Sequence, residues 1–101
     1  MEDLRGSRAV LAMIRVYLAE EQMDETEYVC RVTDCDAEGE RLHLTLEEGD
    51  LTGLSLDAEY RCTLYPQDVY CEGTVKERFF DREGARLLFS VENGFYKNSL
   101  N

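Results

Sequence analysis

Three arginines recur at intervals of four, Arg78, Arg82 and Arg86. They are the residues of this chain best suited to hold a ligand. A guanidinium is permanently charged and presents a planar fork of donors that matches a phosphate or a carboxylate two bonds at a time. Arg78, Arg82 and Arg86 are therefore candidate ligand-binding residues for an anionic nucleotide. Glu77, Asp81 and Glu83 are interleaved with them. Neutralised in this way, the stretch would be an ordinary solvated segment with weak surface pairs.

Other chemistry-bearing residues point to less. The single histidine, His43, has no nucleophile at evident spacing and reads as a surface residue. Cys30 and Cys35 stand five apart, and Cys62 and Cys71 nine apart. Neither interval is the short pair of a zinc ribbon, so the thiols are expected to be free, mostly buried, and without metal. Glu47, Glu48, Asp50 and Asp57 lack the alternating oxygen spacing of a calcium loop. No phosphate loop, nucleophile elbow or dinucleotide fingerprint is present. The expectation is a protein that is not an enzyme, with no catalytic residues, no cofactor and no metal.

The elements that must position these residues are mostly strands. Asp36-Ala-Glu-Gly39-Glu-Arg-Leu42 recurs as Asp81-Arg-Glu-Gly84-Ala-Arg-Leu87, and apolar alternation follows each copy. Glycine at the left-handed position of a three-residue loop would close a hairpin in each case, through 37–39 and 82–84. In that register Cys30, Val32 and Asp34 share a face with Leu42, Leu44 and Leu46. Tyr60, Cys62 and Leu64 point inward on a third strand, and Val69, Cys71, Gly73 and Val75 on a fourth. Phe79 and Val75 then meet Leu87, Phe89 and Val91, while Arg78 and Arg86 share the outer face. Glu77 falls on the inner face unless a bulge intervenes near Lys76, and the bulge is preferred. Asn93-Gly94 reads as a turn before a short closing strand.

Residues 1–22 differ in composition. Leu4, Leu11, Ile14 and Leu18 fall on one helical stripe that Val10, Met13 and Tyr17 widen, among Ala, Leu, Met and Arg. A strand is the competing reading, because Val10, Ile14, Val16 and Tyr17 also suit a sheet. The helix is favoured on spacing. Its stripe is wide enough to pack on a barrel and on a partner, with Leu11, Ile14, Tyr17 and Leu18 as the interface. The fold class is thus mainly β: a small antiparallel, split β-barrel of about six strands over 23–101 with an N-terminal α-helix over 1–22, a single domain overall.

The chain has 101 residues, with 22 acids against 11 bases and a net charge of −11. Such a surface repels nucleic-acid polymers and anionic membranes. It leaves a protein partner or a second copy as the expected contact, hence a homo-oligomer or a docked complex. No apolar run is long enough for a membrane helix and no leader pattern is evident, so a cytoplasmic protein, mature from Met1, is expected.

The stretch from Tyr28 to Tyr96 resembles a PilZ-type split β-barrel, in particular its degenerate variety and the N-terminal barrel of flagellar-brake proteins. The likeness is carried by Leu46-x-x-Gly49, Tyr60-Arg-Cys-Thr-Leu64, Cys71-Glu-Gly-Thr-Val75, Leu87-Leu-Phe89 and Asn93-Gly-Phe-Tyr-Lys97. It implies a regulatory module of the kind that binds cyclic di-GMP. The family's arginine motif ahead of the barrel is missing, and so is its D/N-x-S-x-x-G strand segment; Asp50-Leu-Thr-Gly53 is a truncated echo. The expectation is a non-enzymatic regulatory or interaction module without the cyclic di-GMP motif. The alternative is a sensor for an anionic nucleotide at the late arginines.

Overall fold

Apolar residues recur every second position through most of the chain, and the computed structural model turns that period into strands. It describes residues 4–16, 26–36, 38–82 and 84–97. Six strands form, β1 (Arg8–Val16), β2 (Glu27–Asp36), β3 (Arg41–Glu48), β4 (Ala58–Tyr65), β5 (Val69–Asp81) and β6 (Gly84–Lys97). One 3-10 turn, Leu51–Gly53, lies between β3 and β4. The strands close as an antiparallel barrel in the order β1-β2-β3-β6-β5-β4. Inward side chains fill it: Leu11, Cys30, Val32, Leu42, Leu44, Tyr60, Cys62, Leu64, Cys71, Val75, Leu87 and Phe89 are almost wholly buried.

The expected N-terminal helix is corrected. Residues 8–16 form β1, and no α-helix occurs among the described residues. Ala9, Leu11 and Met13 are buried in strict alternation. The physical reason is tertiary. β1 pairs with β2 on one side and with β4 on the other, so it supplies hydrogen bonds to two strands that would otherwise expose their edges. Those ladders outweigh a propensity difference worth at most a few tenths of a kcal/mol per residue, roughly.

Register shifts in two of the ladders revise the expected facing. One lies between Val32 and Asp34, and it sets Asp34 opposite His43 and Cys35 opposite Leu42. Asp34 is thereby exposed rather than inward, and Cys35 packs partly against the core. A second lies between Val75 and Glu77, as preferred from the sequence, and leaves Glu77 exposed opposite Leu88. Beyond it Phe79 stands opposite Arg86 and Arg78 opposite Leu87, so Phe79 does not meet Leu87. Two further register shifts, one on each side of Glu72, absorb Asn93 into the β5–β6 ladder. The expected turn at Asn93-Gly94 is therefore absent, and β6 runs unbroken to Lys97.

The loop between β3 and β4 closes one end of the barrel. Leu51 and Leu54 are buried there. Tyr28 lies under Gly49 and Gly53 so closely that a Cβ would stand 2.6 Å and 2.7 Å from its ring and hydroxyl. The Tyr60 hydroxyl accepts a bond of 3.0 Å from the Ser55 amide. Within the loop, Asp50 caps the 3-10 turn, accepting from Thr52 N at 3.0 Å and from Thr52 Oγ1 at 2.8 Å. These bonds hold the Asp50 carboxyl below its ordinary range.

Candidate functional site

The far end of the β5–β6 hairpin collects the candidate arginines, but not as one cluster. Residues directly opposite in an antiparallel pair share a face. Arg78 is opposite buried Leu87, and Arg86 is opposite Phe79. The bulge at Val75/Glu77 has thus turned Arg78 to the inner side and left Arg86 outside, which corrects their expected common face.

Each arginine has its own surroundings. Arg78 reaches back to the loop that closes the barrel, where its Nη1 donates to Leu51 O at 3.2 Å, to Thr52 O at 3.1 Å and to Leu54 O. The Leu51 carbonyl also accepts the Leu54 amide at 3.2 Å, and the guanidinium adds a charged donor to it and to the two later carbonyls of the turn. Arg86, on the outer wall, pairs with Asp81 Oδ2 at 3.3 Å and donates to Thr33 Oγ1 at 3.4 Å. Arg82 is exposed in the turn after β5. The three side chains therefore do not converge on one anion.

What gathers at this end is apolar. Phe79 is 43% exposed and Phe80 is 71% exposed. With Leu51, Thr52 and Arg78 they line a groove of about 130 Å³. Sequence reasoning placed Phe79 in the core and gave Phe80 no role. Two adjacent aromatics cannot both face inward on a strand, and that break in the alternation was the available signal.

The other candidates fall elsewhere. Leu11 is wholly buried inside the barrel, whereas Ile14 is 37% exposed. Tyr17 and Leu18, the rest of the expected interface, lie outside the described residues. His43 stands on the outer face of β3 opposite Asp34 and Leu88. Tyr96, half exposed, lies 5.5 Å from Tyr70, which Arg61 covers at 4.5 Å, and Arg61 also pairs with Glu72 at 3.1 Å. That surface is already internally paired.

None of the four cysteines is in a disulfide. Cys62 and Cys71 face each other across β4 and β5, fully buried. The bond with Cys71 and the burial together push the Cys62 thiol well up. Burial, with a smaller contribution from the Glu47 charge, pushes Cys30 up to about 12. Thiols held protonated in this way are poor nucleophiles. Among the described residues no group of three or more His, Cys, Asp or Glu side chains is arranged to hold a metal ion, and no helix is long and apolar enough to cross a membrane.

Comparison of the chain with known protein families, with curated proteins and with solved structures gives no match.

Proposed function

We propose that this protein is a non-enzymatic interaction module, a PilZ-like barrel without the cyclic di-GMP motif, that docks a protein partner through the tip of its β5–β6 hairpin. One observation carries the reading: Phe79 and Phe80 stand exposed in succession, one on each face of β5, past the last β4–β5 pair. A large aromatic in water gives up roughly 25 cal/mol for every Å² of apolar surface it could bury, so two together favour a contact. Their neighbours Lys76, Glu77, Asp81 and Arg82 form a charged rim around an apolar centre, the usual anatomy of an interface.

The test is a photo-crosslinking phenylalanine analogue at position 80, activated in cells that produce the protein. A discrete covalent adduct is expected there, and none from the same probe at Thr63, which stands opposite Tyr70 near the other end of β5. Equal labelling from both positions, or none from either, refutes the reading.

The nucleotide-sensor alternative has less support from the geometry. It requires Arg78, Arg82 and Arg86 to act together, whereas Arg78 holds the loop and Arg86 faces the opposite side. Titration with cyclic di-nucleotides is expected to release no heat and to leave the melting temperature unchanged.

A further inference from the structure

The β5–β6 hairpin outruns its neighbour β4. The β4–β5 ladder ends at Glu59 opposite Thr74. Among the described residues no β4-side backbone hydrogen bond to residues 76–80 of β5 is formed. Every other residue of this stretch turns its amide and carbonyl away from β6, so the stretch is an open sheet edge and a template for another strand. Charge commonly blunts such edges. Here charge flanks the edge, but its centre is Phe79-Phe80, the most exposed adjacent aromatics among the described residues.

The signs along the edge follow a rule. Even positions are basic, Lys76 and Arg78, odd positions are acidic, Glu77 and Asp81, and Arg82 follows in the turn. This alternation decides which strand fits. A second copy added antiparallel across a twofold axis keeps each face on its own side, so positions of like parity stand opposite one another. The registers centred on this stretch set Arg78 against Arg78 or Glu77 against Asp81, and the one centred on Phe80 brings Arg78 level with Arg82 of the turn. Each opposes like charges, which is destabilising across a ladder. A foreign strand is not bound by that symmetry.

We infer that the open edge of β5 takes up an extended, antiparallel peptide segment of another protein. The segment carries carboxylates opposite Lys76 and Arg78 and level with Arg82 of the turn, bases opposite Glu77 and Asp81, and apolar residues opposite Phe79 and Phe80. A second copy of this chain is excluded from the edge. The inference rests on the interaction reading above and names its site and partner chemistry. Two further features fit it. The groove beside Leu51 and Thr52 is bordered by Arg78, Phe79 and Phe80, so it offers an incoming side chain a seat along the edge. The Arg78 bonds to the loop all use Nη1, which leaves Nε and Nη2 as a fork for a carboxylate.

The probe is a fluorescein-labelled peptide with the core Glu-Lys-Val-Val-Glu-Lys-Glu, compared with its charge-reversed counterpart Lys-Glu-Val-Val-Lys-Glu-Lys. The first is expected to bind about tenfold more tightly or better at low salt, since several opposite-charge pairs add across the ladder. The preference should shrink as salt is raised. Amide exchange should slow at residues 76–81, and Phe80→Ser, at a side chain already mostly in water, should abolish binding while the circular dichroism stays unchanged. Equal affinity for the two peptides, no binding of the first, or protection elsewhere overturns the inference. So does a homodimer in sedimentation that Phe80→Ser dissolves. If the peptide fails while the probe at position 80 still forms its adduct, strand addition is refuted and the interaction reading stands; if both fail, both are refuted.

Discussion

The two copies of the Asp-x-Glu-Gly-x-Arg-Leu stretch close their hairpins in different ways. In the first, Asp36 pairs with Arg41 and four residues lie between them. The Asp36 carboxylate accepts the Gly39 amide at 3.0 Å, and the positive φ belongs to Glu40, at 54°, not to the glycine expected to hold it. In the second, Asp81 pairs directly with Gly84, whose φ is 107°, and only two residues intervene. There the Asp81 carboxylate is drawn to Arg86 instead. Yet both leucines arrive in the core, Leu42 and Leu87 each 1% exposed, on the adjacent strands β3 and β6. Burial fixes the facing of the strands, and the turn adjusts its length to suit. Like residues in a turn specify a reversal without specifying its register.

The hairpins also differ in reach. β2–β3 lies within the wall of the barrel, whereas β5–β6 projects past β4, bulged and aromatic at its tip. Breaking the long hairpin at its root should have the largest effect. A Cβ at Gly73 would stand 1.8 Å from the backbone oxygen of Ser90. Gly73→Ala is therefore expected to cost about 4 kcal/mol or more, at the extreme of single substitutions. A thermal melt would show the loss, and a variant that melts within a degree or two of the parent would mean the two backbones can part.

Arg78→Leu comes next. It removes a charged donor from three carbonyls and should cost about 2 kcal/mol. Amide exchange should quicken at residues 49–57 with β2–β3 unmoved. Uniform quickening would show that the guanidinium supports the whole barrel rather than its closing loop.

The glycines sharpen the contrast between the turns. Gly84→Ala forces a side chain onto a positive φ and should cost about 1–3 kcal/mol, although no atom lies within 4 Å of the new Cβ. Gly39→Ala meets only the Asp36 carboxylate, at 2.6 Å, which can swing aside. Its cost should be near that of one hydrogen bond, about 1 kcal/mol. Urea unfolding of the pair checks the order, and the reverse order would show that the first turn is the stiffer one.

Thiol chemistry gives the finest distinction. At pH 8 Cys35, beside the first turn and partly exposed, should react alone with an aromatic disulfide reagent, while Cys30, Cys62 and Cys71 wait for unfolding. Alkaline pH reports on the same core. The unfolded chain loses the Cys30 proton near 9.0, whereas the native protein keeps it to about 12. Stability is therefore full below that window and falls as pH rises through it, and Cys30→Val should flatten the slope. Early reaction of Cys71 would mean that the long hairpin opens on its own.

Much of the barrel was written in the period of its apolar residues. The inward faces of Cys30 and Val32, of Leu42 and Leu44, of Tyr60, Cys62 and Leu64, and of Cys71 and Val75 follow from alternation alone, because a strand has only two sides and one of them is buried. The bulge ahead of Glu77 was legible too, since continued alternation would have buried a carboxylate. What only tertiary structure decided was whatever depended on a distant partner. Residues 8–16 are a strand because β2 and β4 both needed an edge filled. Arg78 and Arg86 face opposite ways because one extra residue sits in β5, and Phe79-Phe80 is exposed because β4 begins too late to cover it. Local spacing carries no record of where a neighbouring strand starts or stops, and that is where the candidate site lies.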